Sequence, residues 1–526
     1  ANGRVKFYSL LALLLCAGVL GFRLFSARAS QAPEQSGKSS PDGIWQESAV
    51  RQTGKATSQP QPDRVFKLNG SNLGRALANA PMEFTAAGKK STVMLDLPLK
   101  DGSFKRFRIV ESPISAGGNQ RQSDFQSYSG QGVDDPNTTM RFSWASNGFH
   151  AFILTPQEGF VIEPAGSGNT GDYVVHSMKD EAFRGKVSYV FEKGTKVELA
   201  AHTQQTTSNG TELRIYRTAV AASFQYIQQN GGTPAAALTN IKTTMMGVNA
   251  IYERELSIRL QLLSDADELR IFATGDGDYT DSNTEAMLVQ NQTRLTQILG
   301  NNAYDVGHAF GVTGAFSGVA SLACACGDNK ARGVSTMTPN QPARTTSVIG
   351  VVHEFGHQFS APHTYDGVAG PCRDQKDATS AFEPGSGSTM MAYPGVCTTD
   401  NLQATWDPYF HYSTLEVILA HVDTNANKSC GTRTATGNRP PTVNAGGTFT
   451  IPPSTPFMLT GSGNDADNDT VNYTWEQSDA GTPPATGALF RSYSPTTSPT
   501  RIFPSPRYIA SNGNTPPTHY LAPQIN

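Results

Sequence analysis

Apolar and polar positions divide the chain into three stretches of different period. In the first, residues 65–198, the period is two. Val93, Leu95, Leu97 and Leu99 alternate with other residues, Lys100-Asp101-Gly102 makes a turn, and residues 104–110 return as a second strand. Residues 140–154 read as another hairpin turning at Asn147-Gly148. In the second stretch, from about Thr211, strands alternate with helices. Residues 212–217 predict a strand, and residues 220–229 a helix stopped by Gly231-Gly232. A longer helix follows, with Leu238, Ile241, Met245, Val248 and Tyr252 on one face. Leu256, Ile258, Leu260 and Leu262 alternate as a strand, residues 285–299 form a helix ending at Gly300, and residues 305–310 form a strand. This alternation predicts a mainly parallel or mixed sheet covered by helices. The third stretch, residues 441–526, has short strands at 448–451, 457–460 and 471–475 between turns, the pattern of an immunoglobulin-like sandwich, without a clear closing strand before Asn526.

The flanking segments set the compartment. Residues 1–29 read as a secretory signal: Arg4 and Lys6 make a basic start, residues 10–20 an uncharged apolar run, and Ala27-Arg28-Ala29 a cleavage site. The run is too short to span a bilayer and Arg23 closes it, so no stable membrane insertion is expected after cleavage. Residues 30–64, rich in Ser, Gln, Pro and Gly, predict a linker. The expected domains are then a β-rich block at 65–205, an α/β domain at 206–436 and a β-sandwich at 437–526. A length of 526 residues fits that division. The net charge of −3 gives no reason to expect nucleic acid or an acidic membrane as partner. With 50 Gly, 32 Pro and only 16% charged residues, the chain suits a secreted or cell-surface protein rich in loops and strands.

The chemistry concentrates in VIGVVHEFGHQFSAPH, residues 348–363. On a helix His353 and His357 project from one face, one turn apart, and two imidazoles so placed can take two corners of a tetrahedral zinc site. Glu354 lies beside them, where a carboxylate can take a proton from a water activated by the metal. Val348, Val352, Phe355 and Phe359 form the opposite, apolar stripe. Past Ser360 the chain must turn, since Pro362 disfavours a helical residue before it. His363 can therefore return as the third ligand.

HEFGHQFSAPHTY, followed by EPGSGSTMMAYPGVC, resembles the metzincin zinc metalloproteases, in particular the reprolysin-like branch of secreted bacterial enzymes. The resemblance implies a metzincin-like α/β catalytic domain: a mixed twisted sheet, a zinc-binding active-site helix and a loop-rich lower subdomain. A β-rich propeptide would precede it and the sandwich would follow. It implies Zn²⁺ as cofactor, protein or peptide substrates, and peptide-bond hydrolysis with Glu354 as general base. Met391 matches the methionine of the Met-turn, an apolar floor beneath the metal. Tyr393 matches a tyrosine that hydrogen-bonds the tetrahedral oxyanion, with packing as its alternative role. Two positions depart from the family: Ser360 stands where Gly is usual after the second histidine, and Thr364 where Asp often follows the third, the nearest acid being Asp366. No cysteine lies between Cys16 and Cys324, so a propeptide would have to inhibit through another group or by steric cover. Cutting the polar stretch 200–210 would then be expected to free it.

Disulfides fit a secreted chain. The connectivity stays open, with Cys372–Cys397 and Cys326–Cys430 favoured and Cys324 left over. Asp465, Asp467 and Asp469, like Asp276 and Asp278, have the composition of a Ca²⁺ loop and are read chiefly as solvated turns. His308 and His411 are read as packed or surface residues. The alternative function is a non-enzymatic surface or adhesion protein on a peptidase scaffold. An intact Glu354 argues against it, since such a protein has no need of the base.

Overall fold

The computed structural model describes residues 37–48, 64–117, 124–166, 169–180, 187–189, 208–313, 316–337, 345–424, 426–452, 455–480 and 487–512. The predicted signal, most of the linker and most of the polar stretch 200–210 lie outside the described residues. Among the described residues, no helix is long and apolar enough to cross a membrane.

The front block is one antiparallel sheet of nine strands: β1 (Trp45–Glu47), β2 (Val65–Leu68), β3 (Met94–Pro98), β4 (Phe104–Glu111), β5 (Phe125–Gly132), β6 (Thr139–Ala145), β7 (Gly148–Leu154), β8 (Gly159–Gly166) and β9 (Asn169–Ser177). Their spatial order is β1-β2-β9-β8-β7-β6-β5-β4-β3. The two predicted hairpins are β3–β4, with Leu97 opposite Lys105, and β6–β7, with Ala145 opposite Gly148. The expected linker needs correction at its centre. Trp45 is wholly buried against Phe149 and Tyr173, and β1 pairs with β2. A polar-rich composition concealed one large aromatic with a place to be buried.

β7 explains how the block is used. All seven of its residues are buried. Phe149, Ala151 and Ile153 enter the core of the front block, while Phe152 and Leu154 enter the core of the following domain. Successive side chains of a strand point to opposite faces, so this strand is sandwiched between two cores.

The second domain is a mixed sheet built from β10 (Val187–Tyr189), β11 (Glu212–Ala222), β12 (Ile258–Leu262), β13 (Val306–Val312), β14 (Phe316–Ala320), β15 (Gly333–Met337) and β16 (Thr432–Ala435). The order is β10-β14-β15-β13-β11-β12, with β16 also on β11. β14 runs antiparallel to β15, and β10 runs parallel to β14. The strand expected over 212–217 extends to Ala222, and the helix after it covers only Phe224–Gln229, capped by Ser223. An apolar run such as Val220-Ala221-Ala222 fits a buried helix or a central strand equally well. Here β12 and β13 pair with opposite halves of β11 and settle the matter. The long helix Pro234–Leu256 starts at the cap Thr233 with Pro at its first position and ends at left-handed Ser257. It packs beside the helix Thr345–Gln358, whose Val348, Val352 and Phe355 are wholly buried, as is Phe359 just beyond.

Two disulfides form, Cys326–Cys430 and Cys372–Cys397, and Cys324 is a buried free thiol. Beyond residue 437 the described residues hold two two-stranded ladders: Thr442–Asn444 with Ser462–Asn464, and Phe457–Thr460 with Thr500–Phe503. The strand expected at 448–451 does not form, and at 471–475 only a bridge from Tyr473 to Thr496 remains. Val443 and Phe449 are 68% and 71% exposed, so no second sheet covers this face among the described residues.

Candidate metal centre

Helix geometry brings His353 and His357 together as predicted, and the turn after the helix supplies His363. Ser360 has φ +85°, the left-handed exit for which Gly is usual, at a cost of about 1 kcal/mol. Its N–H donates to the His357 carbonyl and Ala361 N–H to the Gly356 carbonyl, which closes the helix.

Each imidazole is oriented by a backbone carbonyl. Nδ1–H of His353 donates to Met390 O (2.8 Å), that of His357 to Ala361 O (2.7 Å) and that of His363 to Gln375 O (2.6 Å). With every Nδ1 donating, the three Nε2 atoms of neutral rings are acceptors only. Yet His353 Nε2 lies 3.2 Å from His363 Nε2 and 3.1 Å from His357 Nε2. Three lone pairs facing one another are repulsive unless a cation sits among them. A tetrahedral zinc site with Zn–N near 2.0–2.1 Å has nitrogens roughly 3.3 Å apart, so the spacing fits that metal. Among the described residues this is the one group of three or more His, Cys, Asp or Glu able to hold a metal. Burial pushes His353 down to about 3, with the neighbouring His363 adding to it, and His363 down to about 4; His357 is lowered too, by burial and then by the other two rings. All three are therefore neutral at physiological pH, the state a ligand needs.

Glu354 is 1% exposed, burial raises its pKa well above the ordinary carboxylate value, and its Oε2 has no hydrogen-bond partner. Strand β14 passes directly over it: a Cβ on Gly318 would stand 2.0 Å from Glu354 Oε1. Gly318 is a residue that no motif pointed to.

The Met-turn packs from below. Met391 is wholly buried, and a Cβ on Gly356 would meet its Sδ at 2.4 Å, so sulfur rests on the helix backbone. Tyr393 is 1% exposed and lies against His363, His353 and Tyr365, with ring centroids 4.5, 5.6 and 4.8 Å away.

Sequence reasoning also missed Glu383, although it begins the quoted EPGSG run. Its Oε1 accepts from Thr364 Oγ1 (2.6 Å) and Thr389 Oγ1, and its Oε2 from the backbone N–H groups of Ser388 (2.8 Å) and Thr389 (3.2 Å). Thr364 thus reaches a carboxylate supplied from 19 residues downstream, where the family often has its own Asp, and Asp366 pairs instead with Lys376. Glu383→Ala would leave these buried donors unpaired. The expected cost is about 3 kcal/mol, seen as a lower thermal midpoint by circular dichroism; an unchanged midpoint would mean that other contacts hold the Met-turn.

The remaining candidates do not join the site. His308 is buried between Gln358 and Ser335, and His411 between Ser413 and the Phe382 ring. Asp465 Oδ1 accepts the N–H groups of residues 467 and 469, and Asp467 pairs with Arg439. Asp278 Oδ2 accepts from Thr274 and faces Arg294. These carboxylates stabilise turns, and none of them belongs to a cluster fit for Ca²⁺.

Residues 212–418 match the family model described as metallo-peptidase family M12B, reprolysin-like. No curated protein matches the chain. Among solved structures the chain is similar to metalloproteinase-II from Bacteroides fragilis, at 10% identity over 66% of this chain and 97% of that one, with a TM-score of 0.35, a likeness too slight to argue from. Strands β11 to β15, the helix Thr345–Gln358 and the histidine cluster all fall within residues 212–418, the part of the chain that matches the reprolysin-like metallopeptidase family.

Proposed function

We propose that this protein is a secreted zinc endopeptidase made as a precursor, with the front block as its propeptide. The observation that carries the reading is the buried, half-unpartnered Glu354 carboxylate beside three converging imidazole nitrogens. An adhesion protein has no use for so costly a group. A zinc ion held by His353, His357 and His363 supplies Lewis acidity towards a water and the scissile carbonyl. Glu354 takes the proton of the attacking water and returns it to the leaving amine. Burial favours that second step, because a carboxyl out of water holds a proton readily. The rim strand β14 is where an extended peptide would add by backbone pairing, bringing its chain past Gly318 and Glu354. That edge is taken by β10, with Val187, Ser188 and Tyr189 opposite Phe316, Ser317 and Gly318. Substrate and this strand compete for one edge, which supports the precursor reading without any inhibitory cysteine.

The test is casein hydrolysis by protein cut between the front block and residue 212, with and without a chelator, followed by zinc add-back. Activity indifferent to the chelator would end the zinc reading. Tyr393 is given the oxyanion role. Tyr393→Phe is expected to lower kcat by roughly ten- to a thousandfold with little change in KM; a rate within twofold of wild type would assign the ring to packing alone.

A further inference from the structure

The precursor reading implies that cutting the connection frees the front block. The contacts between the two domains argue otherwise.

Phe152 of β7 lies on the long helix where Gly247 has no side chain. A Cβ there would stand 2.7 Å from the Phe152 ring and 2.9 Å from Val348 of the active-site helix. Phe152, Leu154, Val161, Phe125 and Met178 of the front block belong to the same buried cluster as the catalytic domain's own core. Removal of the block would bare apolar surface on both sides, as in an obligate interface. The chain also pairs with the end of β12: Leu262 N–H donates to Ile114 O (2.9 Å) and Ala116 N–H to Leu262 O (2.7 Å).

Two buried arginines and two half-buried glutamates meet at the same seam. Arg141 of β6 donates to Glu253 of the long helix through Nε (3.1 Å) and Nη2 (2.8 Å). Arg259 of β12 donates to Glu253 through Nε (2.6 Å) and to Glu83 of the front block through Nη2 (2.9 Å). Each domain supplies one arginine and one glutamate, so each half is neutral by itself, and the seam is held by the cross-pairing of Arg141 with Glu253 and of Arg259 with Glu83. Separation would break both cross-domain pairs, leaving Arg141 and Glu83 each without its ion-pair partner, while Arg259 keeps only Glu253. Burial works against ionisation of Glu253, and Arg141 and Arg259 outweigh it, holding its carboxyl below the ordinary value.

By contrast β10 holds the cleft edge through three residue pairs. The inhibitory contact is slight and the docking contact is extensive.

We infer that the front block is a lasting partner of the peptidase domain: after cleavage between residues 190 and 207 it stays bound, and the mature protein is a two-chain complex in which only the rim strand β10 has given way.

The inference builds on the precursor reading for its consequence, but its test is read by mass alone. Full-length protein is nicked with a trace of trypsin, and the cut is located by mass spectrometry. The product is then passed over a sizing column with light scattering at physiological salt. Both fragments are expected to co-elute at the mass of the uncut chain. A front fragment eluting apart from a folded catalytic fragment would overturn the inference. Phe152→Ala, which opens a gap against Gly247 and Val348, is expected to raise the released fraction at least tenfold; no rise would also overturn it. Caseinolytic activity is assayed on the same fractions. Its absence from a co-eluting complex would count against the precursor reading and leave the docking result standing.

Discussion

Glu354→Gln is expected to keep the fold and the metal and to lose nearly all turnover. The amide has the size of the carboxyl, so it fits beneath Gly318, where a Cβ would already be 2.0 Å from Oε1. It is neutral, and at a site 1% exposed a neutral group is easier to bury than a carboxylate, so stability should be unchanged or slightly higher. The three imidazoles and their carbonyl partners are untouched, and zinc should remain near one per chain. What disappears is the proton acceptor, and removal of a general base costs roughly a hundred- to ten-thousandfold in rate. Casein hydrolysis, metal analysis and thermal denaturation on one preparation separate these effects. A rate within threefold of wild type would assign the base elsewhere, whereas lost zinc or a lower midpoint would mean that Glu354 supports the site structurally.

His363→Ala is expected to abolish activity by a different route, through the metal. Two ring nitrogens on one helix face remain, and a tetrahedral site with three protein ligands loses one of them. The Gln375 carbonyl also loses the Nδ1–H that ties it to the centre. Affinity should fall by more than about a hundredfold, beyond what the loss of a partner outside the ligand shell costs. After dialysis into zinc-buffered solution, wild type should hold close to one zinc and the variant a small fraction of that. Wild type should also gain thermal stability on adding zinc, by linkage, and the variant should not. Full zinc in the variant would remove His363 from the ligand set.

The parts legible in the sequence were those governed by short-range geometry. His353 and His357 share a helical face because the helix repeats every 3.6 residues, and His363 returns because Ser360 and Pro362 stop that helix. The period-two runs at 93–110 and 140–154 became β3–β4 and β6–β7 for the same local reason. The favoured disulfides, Cys372–Cys397 and Cys326–Cys430, also formed. Errors appeared where a local pattern admits two answers. The run at 220–222 became strand because β13 pairs along it, Val220 opposite His308 and Ala222 opposite Phe310. Residues 448–451 did not become a strand, because nothing among the described residues covers Phe449.

What the sequence by itself determined was the convergence of His353, His357 and His363 and the place of Glu354 beside them, since they fall within eleven consecutive positions and one helical turn orders most of them. What only the tertiary structure decided was their surroundings. Gly318 reaches Glu354 from another strand, Glu383 substitutes for an expected Asp from 19 residues beyond Thr364, and Arg141 meets Glu253 across 112 residues. Such contacts carry no local signature, because they depend on which faces of the sheets and helices come together once apolar surface is buried. The double burial of β7, with Phe152 turned toward the long helix at Gly247 and Ile153 away from it, is the clearest instance: alternation predicts a strand, and only the neighbouring domain makes both of its faces a core.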